Sequence, residues 1–598
     1  MVPGLGLDGQ PNDFRKWYQD IVGSFGVEIE TTNRATPHTF KMQTQLSLKR
    51  LSIFWLIAGI LAPVILLINP IREMALGDDW GYALAVKNLV ETGSFKSVDW
   101  ATPSMPFQAY WGALFAHLLG YSFTSLRIST LVLMFLGLIA FYYLAREHRL
   151  DRFPAALLVL CLFSSPLVME HSFSFNSDAP FLMSAIIAIA LYTRAIRLEN
   201  YALMFLGSCC ASAAVLTRQF GLALPASIFL LWALSKERKT KAGFFITGLF
   251  LPGIASLWQL LASGFTQPSW AQRSMLYQQL LYFSNYRTML GNIVWRPTAT
   301  LHYLALFTLP LMAIALLGFV VESKQLIARY GTRRFLIENR QYILLAFSAY
   351  ILFGIIYGHW VNHISVYMPY LDWDQTLAAF GKIQRAGWTL VTSIGAVLYG
   401  YIFVQRYRTA WHETPTSERL LDLFTILIFA EHLVFMKFGD RYLLPLLPFA
   451  IVAVGRHVGS LLNRYAVPAF GVCVVMILVS AMWTRGILEQ GEAMWKAAES
   501  VRRAGVEPPL IYSNYEWNFY NGMTDDYIAD IGQSTLVKNY QDFWQRFVRD
   551  RKRCAEFLVT TSTAPPGQKI VNETPYRDMF FHKRQMYVVE KTPCDPAP

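Results

Sequence analysis

The feature that most constrains this chain is a series of nearly uncharged apolar runs, each about 20 residues long and so matched to the hydrocarbon core of a bilayer. The first runs from Ser52 to Pro70. Others follow near 125–145, 153–170, 179–195, 200–217, 219–234, 243–263, 300–321, 342–358, 388–405, 420–437, 442–456 and 466–484, about thirteen in all. A chain of 598 residues that is 54% hydrophobic and only 15% charged, patterned in this way, reads as an all-α polytopic membrane protein. Its net charge of +12 would point to nucleic acid in a soluble protein. Here the excess of Lys and Arg sits in alternate short loops, so it reports topology and implies no nucleic-acid partner.

Lys49 and Arg50 close a polar N-terminal arm directly before the first run, an arrangement that resembles an uncleaved signal anchor with residues 1–50 in the cytoplasm. Asp78 and Asp79 then fall outside. The apolar piece Phe107 to Gly120 is too short for a span and reads as an interfacial helix in the first external loop. With that parity the inner loops carry Arg146, Arg149 and Arg152, then Arg194 and Arg197, Lys239 and Lys241, Arg333 and Arg334, Arg406 and Arg408, and Arg456 and Arg464. An odd number of spans makes 51–485 the membrane domain and leaves 486–598 outside the cell membrane. That last segment has a helical pattern from Gln490 to Ala504 and strand-like runs at Leu510–Ser513, Phe557–Thr560 and Gln585–Val589, so a small C-terminal α+β extracytoplasmic domain is expected. Of the six cysteines only Cys554 and Cys594 fall in this oxidising region, and a disulfide between them is expected.

Four polar features converge on the outer side. Asp78 and Asp79 lie just past the first run, where a carboxylate carried to the bilayer centre would cost roughly 2.5–3.5 kcal/mol, so they are either solvated or kept for a purpose. Asp178 stands two residues before Pro180, which also suits a helix N-cap. Arg218 separates two apolar runs, and Arg441-Tyr442 heads another; a guanidinium at either place also has the plain reading of a side chain snorkelling to water. His359 and His363 have the spacing of two ligands on one helical face but no clear third ligand, so the sequence leaves metal binding unknown.

Taken together, Gly77-Asp-Asp-Trp-Gly-Tyr-Ala83, Glu91-Thr-Gly93, Met105-Pro-Phe-Gln-Ala-Tyr-Trp-Gly112, Ser125-Leu-Arg127, Asp178-Ala-Pro180 and Arg441-Tyr-Leu-Leu-Pro445 resemble the polytopic C-fold glycosyltransferases, in particular the protein O-mannosyltransferases and the aminoarabinose transferase of lipid A. The resemblance covers about residues 50–460 and rests on the order and sidedness of short motifs. It implies transfer of a sugar from a polyprenyl-phosphate carrier to a lipid, glycan or protein acceptor, on the periplasmic face of a bacterial inner membrane. By motif position Asp78 matches the family's base and Asp79 the acid beside it, while Asp178 matches a second loop acid that orients the acceptor or holds a divalent metal ion. Arg218, Arg441 and Tyr442 are then the candidate contacts to the lipid phosphate. The chain departs from the family in having Ser104-Met-Pro-Phe107, without the Lys often found there, and in having Asp rather than Glu at position 79.

Residue chemistry fits that reaction independently. A sugar phosphate already carries a good anionic leaving group, so the displacement needs a base for the acceptor but no strong acid, and one carboxylate suffices. Guanidinium forks match phosphate oxygens and stabilise the charge that grows on them. A secondary transporter or lipid flippase would also be polytopic and basic inside, but such proteins show two related halves with broken spans meeting at mid-membrane. No such halves are apparent in this sequence.

Overall fold

The computed structural model describes residues 37–96, 105–235, 239–264, 270–315, 347–348, 378–409, 414–436, 438–522, 555–561 and 568–591. The Arg333 loop, His359, His363, Cys554 and Cys594 lie outside them, as does the expected span near 342–358 apart from residues 347–348.

Among the described residues four helices are long and apolar enough to cross a membrane, or up to six if each of two bent pairs is one span. The four are Phe123–Glu147, Asp178–Leu198, Ala242–Gly264 and Ala466–Arg503. Their outward faces are apolar, with Phe250, Ile254 and Leu257 exposed on one and Val467 and Val475 on another. Lipid tolerates such faces and water does not, so the chain is an integral membrane protein. The full count of thirteen is not reached within these residues, partly because some apolar runs are not straight. The run near 153–170 breaks into Arg152–Ser164 and Pro166–Ser172, bent by 69° where Pro166 follows an extended Ser165. The run near 300 belongs to a longer helix, Tyr286–Phe307, which turns by 87° into Leu309–Ala315.

Helices Phe123–Glu147 and Asp178–Leu198 form the centre of the bundle. They approach so closely that a Cβ at Gly137 would collide with Met183. Both run in the same direction, because Glu147 at the end of one accepts from Arg194 at 2.9 Å and Arg197 at 2.8 Å in the last turns of the other. The same end holds Arg149 and Arg456 on the buried Glu418, as the alternation of basic loops requires. At the opposite end Ser122 and Ser125 cap the first helix reciprocally, and Glu73 of the loop before them accepts the amides of Phe123 and Thr124 at 3.0 and 3.2 Å.

The helix Ala466–Arg503 is continuous through Gly486, so the division placed at 485/486 runs through an unbroken helix of 38 residues. At 1.5 Å per residue it is about 57 Å long, and about half of it stands beyond a hydrocarbon core of about 30 Å. The C-terminal sheet packs on that outer half. Its order is β1-β2-β4-β3, with β1 (Ile511–Tyr512) parallel to β2 (Phe557–Thr560), and β4 (Lys583–Glu590) antiparallel to both β2 and β3 (Lys569–Arg577). Met586, Val588 and Val589 of β4 are buried, and Asn572 of β3 donates to Ser500 of the long helix at 2.6 Å. This is the expected helix-and-strand segment, built onto the last span rather than hung from it.

Candidate active site

Asp78 lies in the turn that opens the helix Asp79–Thr92. The turn needs Gly77 in the left-handed region, at φ +63°, where a Cβ is strained. It sends the two adjacent carboxylates to different surroundings. Asp78 faces Arg441, whose Nη1 donates to its Oδ2 at 2.8 Å, and both side chains are 35% exposed. Arg441 is placed there by the 3-10 turn Asp440–Leu446.

Asp79 is fully buried. It accepts the amides of Leu76 at 2.5 Å and Phe175 at 3.3 Å, so it joins the turn of Gly77 to the segment before Asp178. Burial raises its carboxyl from 3.8 to about 7, against the opposing pull of Arg127 and of the two amides. Arg127 is itself wholly buried and donates to the backbone carbonyls of Arg72 and Met74. The folded carboxyl thus holds its proton more tightly than the unfolded one, and its contribution to stability is full below about pH 4 and lost progressively up to about pH 7. Compared with Asp79→Asn, which does not titrate, the wild-type margin in thermal unfolding should shrink between pH 5 and 7 and then level off. A margin that grew with pH would mean that Asp79 is held ionised.

Asp178 is the first residue of its helix, after the N-cap Ser177, and its side chain pairs with Arg218. The pair is closed, with side-chain exposures of 5% and 10%. Arg218 stands between the helix Tyr201–Val215 and the 3-10 turn Gln219–Leu222, and it points into the protein rather than snorkelling to water. Its Nη1 also reaches Ser177 Oγ at 3.4 Å. The second oxygen of Asp178, Oδ2, is buried with no hydrogen-bond partner among the described residues.

Tyr442 joins the two pairs. Its ring lies 5.5 Å from the guanidinium carbon of Arg441 and 5.8 Å from that of Arg218. His432 holds its backbone carbonyl by hydrogen bond and stacks on Phe220 at 5.3 Å. Tyr82, one turn into the Asp79–Thr92 helix, brings its hydroxyl within 3.5 Å of Ser177 Oγ, and burial beside Asp78 pushes that phenol up. Five of the six residues picked from the sequence therefore meet: Asp78, Arg441, Tyr442, Arg218 and Asp178. Asp79 braces the cluster from behind. Tyr82 and Ser177 carried no sequence signal beyond lying close to picked residues, and His432, ten residues before Tyr442, carried none. Among the described residues no group of three His, Cys, Asp or Glu side chains is placed to hold a metal ion.

Two carboxylate–guanidinium pairs thus flank a tyrosine at the acid-loop end of the helical bundle of an integral membrane protein. Residues 102–258, about a quarter of the chain, match the family model described as dolichyl-phosphate-mannose-protein mannosyltransferase. This segment holds Asp178 and Arg218; Asp78 and Arg441 lie outside it. The chain is also similar to ArnT from Cupriavidus metallidurans bound to undecaprenyl phosphate, at 12% identity and a TM-score of 0.43, covering 92% of this chain and 99% of that one. A second likeness is to the Archaeoglobus fulgidus oligosaccharyltransferase in complex with Zn and sulfate, at 14% identity and a TM-score of 0.42, covering 75% of this chain and 55% of that one. Among curated proteins no significant match is found.

Proposed function

We propose that this protein is a membrane glycosyltransferase that moves a sugar from a polyprenyl-phosphate donor to a lipid, glycan or protein acceptor, with its site on the periplasmic face of a bacterial inner membrane. The observation that carries the reading is the meeting of the Asp78–Arg441 and Asp178–Arg218 pairs at Tyr442. The two pairs differ in openness, and that difference assigns their work. Asp78–Arg441 is a third exposed, so an arriving phosphate competes for Arg441 and frees a carboxylate in the same step. The acceptor hydroxyl then attacks the anomeric carbon and passes its proton to Asp78, while the carbon–oxygen bond to phosphate breaks and its electron pair leaves on the phosphate. Arg441, with Arg218 behind it, stabilises that growing charge. Asp178 stays paired, and its free Oδ2 orients the acceptor.

The reading is tested by incubating the purified protein with a labelled polyprenyl-phosphate sugar and membrane extract, alongside mass analysis of cell-envelope glycans and glycoproteins with and without the gene. Label should pass to an extract component, and one sugar should be missing without the gene. Intact envelope glycans together with donor that is moved across vesicles but never consumed would overturn the reading in favour of a flippase.

A further inference from the structure

The C-terminal segment reaches back to the turn that carries Asp78. Its helix Tyr515–Gly522 is fixed to the outer half of the long helix by Trp517, which is wholly buried and donates from Nε1 to Glu499 at 3.0 Å. Asn518 and Ser513 lock its start, the Ser513 amide donating to Asn518 Oδ1 at 2.9 Å and Asn518 Nδ2 to the Ser513 carbonyl at 3.0 Å. From this anchored base Glu516 Oε1 accepts the amide of Gly77 at 3.1 Å. Phe519 stacks on Trp80, with ring centres 5.2 Å apart and planes 26° from parallel. Gly77 precedes Asp78 and Trp80 follows it by two, so the turn is gripped on both sides of the candidate base while Asp78 itself is left to Arg441.

We infer that Glu516 is a positioning residue: through the Gly77 amide, the extracytoplasmic segment sets the carboxylate of Asp78 against Arg441. The inference rests on the glycosyltransferase reading, and it gives the C-terminal segment a part in the reaction that the membrane helices alone do not supply. Burial raises the Glu516 carboxyl to about 8, so near neutral pH it sits beside Asp78 without adding a second negative charge. A neutral acceptor of the same shape should therefore serve as well.

The test compares Glu516→Ala, Glu516→Gln and Phe519→Leu in the full chain. Glu516→Ala should lower kcat about tenfold, the scale of one lost hydrogen bond of positioning, with KM for the donor unchanged because Arg218 and Arg441 are not touched. Glu516→Gln should keep near-normal kcat, since its amide oxygen still accepts from Gly77. Phe519→Leu loosens the Trp80 stack alone and should lower kcat in the same sense, which keeps the question answerable if Glu516→Ala does not fold. Hydrogen exchange supplies a readout independent of turnover: protection of the Gly77 amide should be lost in Glu516→Ala and kept in Glu516→Gln. Lost protection with unchanged kcat would overturn the positioning role, as would equal losses in Glu516→Ala and Glu516→Gln. Absence of transfer by the wild type, with the exchange pattern as expected, would remove the enzyme reading and leave the contact standing as a structural one.

Discussion

Asp78→Asn is expected to lower sugar transfer by a factor of about 10²–10⁴, the usual cost of removing a general base, while expression and membrane insertion stay unchanged. The amide keeps the shape of the side chain and an oxygen for Arg441, but it cannot take the acceptor's proton. The stability cost is small because the pair it alters is 35% exposed on both sides, and ion pairs of that kind contribute about 0–1 kcal/mol. Asp79→Asn should be milder for transfer, since Asp79 is buried behind the site and its bonds are to backbone amides. Transfer assays on the two variants side by side settle the assignment. Near-normal turnover in Asp78→Asn with loss in Asp79→Asn would exchange the two roles.

The second large effect belongs to the closed pair. Arg218→Ala strands the carboxylate of Asp178 where 5% of its side chain is exposed, and Asp178→Ala strands the guanidinium. Breaking a buried pair from one side costs about 3–5 kcal/mol, so both variants should unfold at markedly lower temperature as well as lose transfer. The neutral double variant Asp178→Asn with Arg218→Gln should recover much of the stability but not the transfer. Thermal unfolding in detergent checks this, and a single-variant midpoint equal to that of the wild type would mean that the pair is not buried in the working protein. From sequence alone Arg218 reads as a contact to the lipid phosphate or as a side chain snorkelling to water; its burial makes its loss a matter of stability as well.

What the sequence made legible followed from physics that acts over short distances. Hydropathy marked the apolar runs, and alternate basic loops placed the acid-bearing turns together at one end, where Glu147 with Arg194 now marks the other. Motif order brought out Asp78, Asp178 and Arg441, and a lone guanidinium between two apolar runs brought out Arg218. Window averages could not see that the run near 153–170 breaks, although Pro166 stands at the break as its local cause. Nor could adjacency reveal that Asp78 and Asp79 part company, because the left-handed Gly77 decides which carboxylate faces out. The partnerships lay furthest from view. Asp178 finds Arg218 across 40 residues and Gly77 finds Glu516 across 439, separations at which residue spacing carries no information.

The unbroken helix Ala466–Arg503 has a consequence for insertions. Arg72 of the stretch after the first helix is held by Glu489 at 2.9 Å and Glu492 at 2.5 Å on its outer half, and the same half anchors Trp517 through Glu499. One residue added below Glu489 would turn everything beyond it by about 100° and raise it about 1.5 Å. Arg72 would lose both carboxylates, and the helix Tyr515–Gly522, carried round with Glu499, would lose the Gly77 amide and the Trp80 stack, while the spans below kept their packing. A residue added to a surface loop is absorbed by slack, but this helix has none to give, so the phase of a single membrane-crossing rod sets the angle from which the outer segment meets the turn of Asp78.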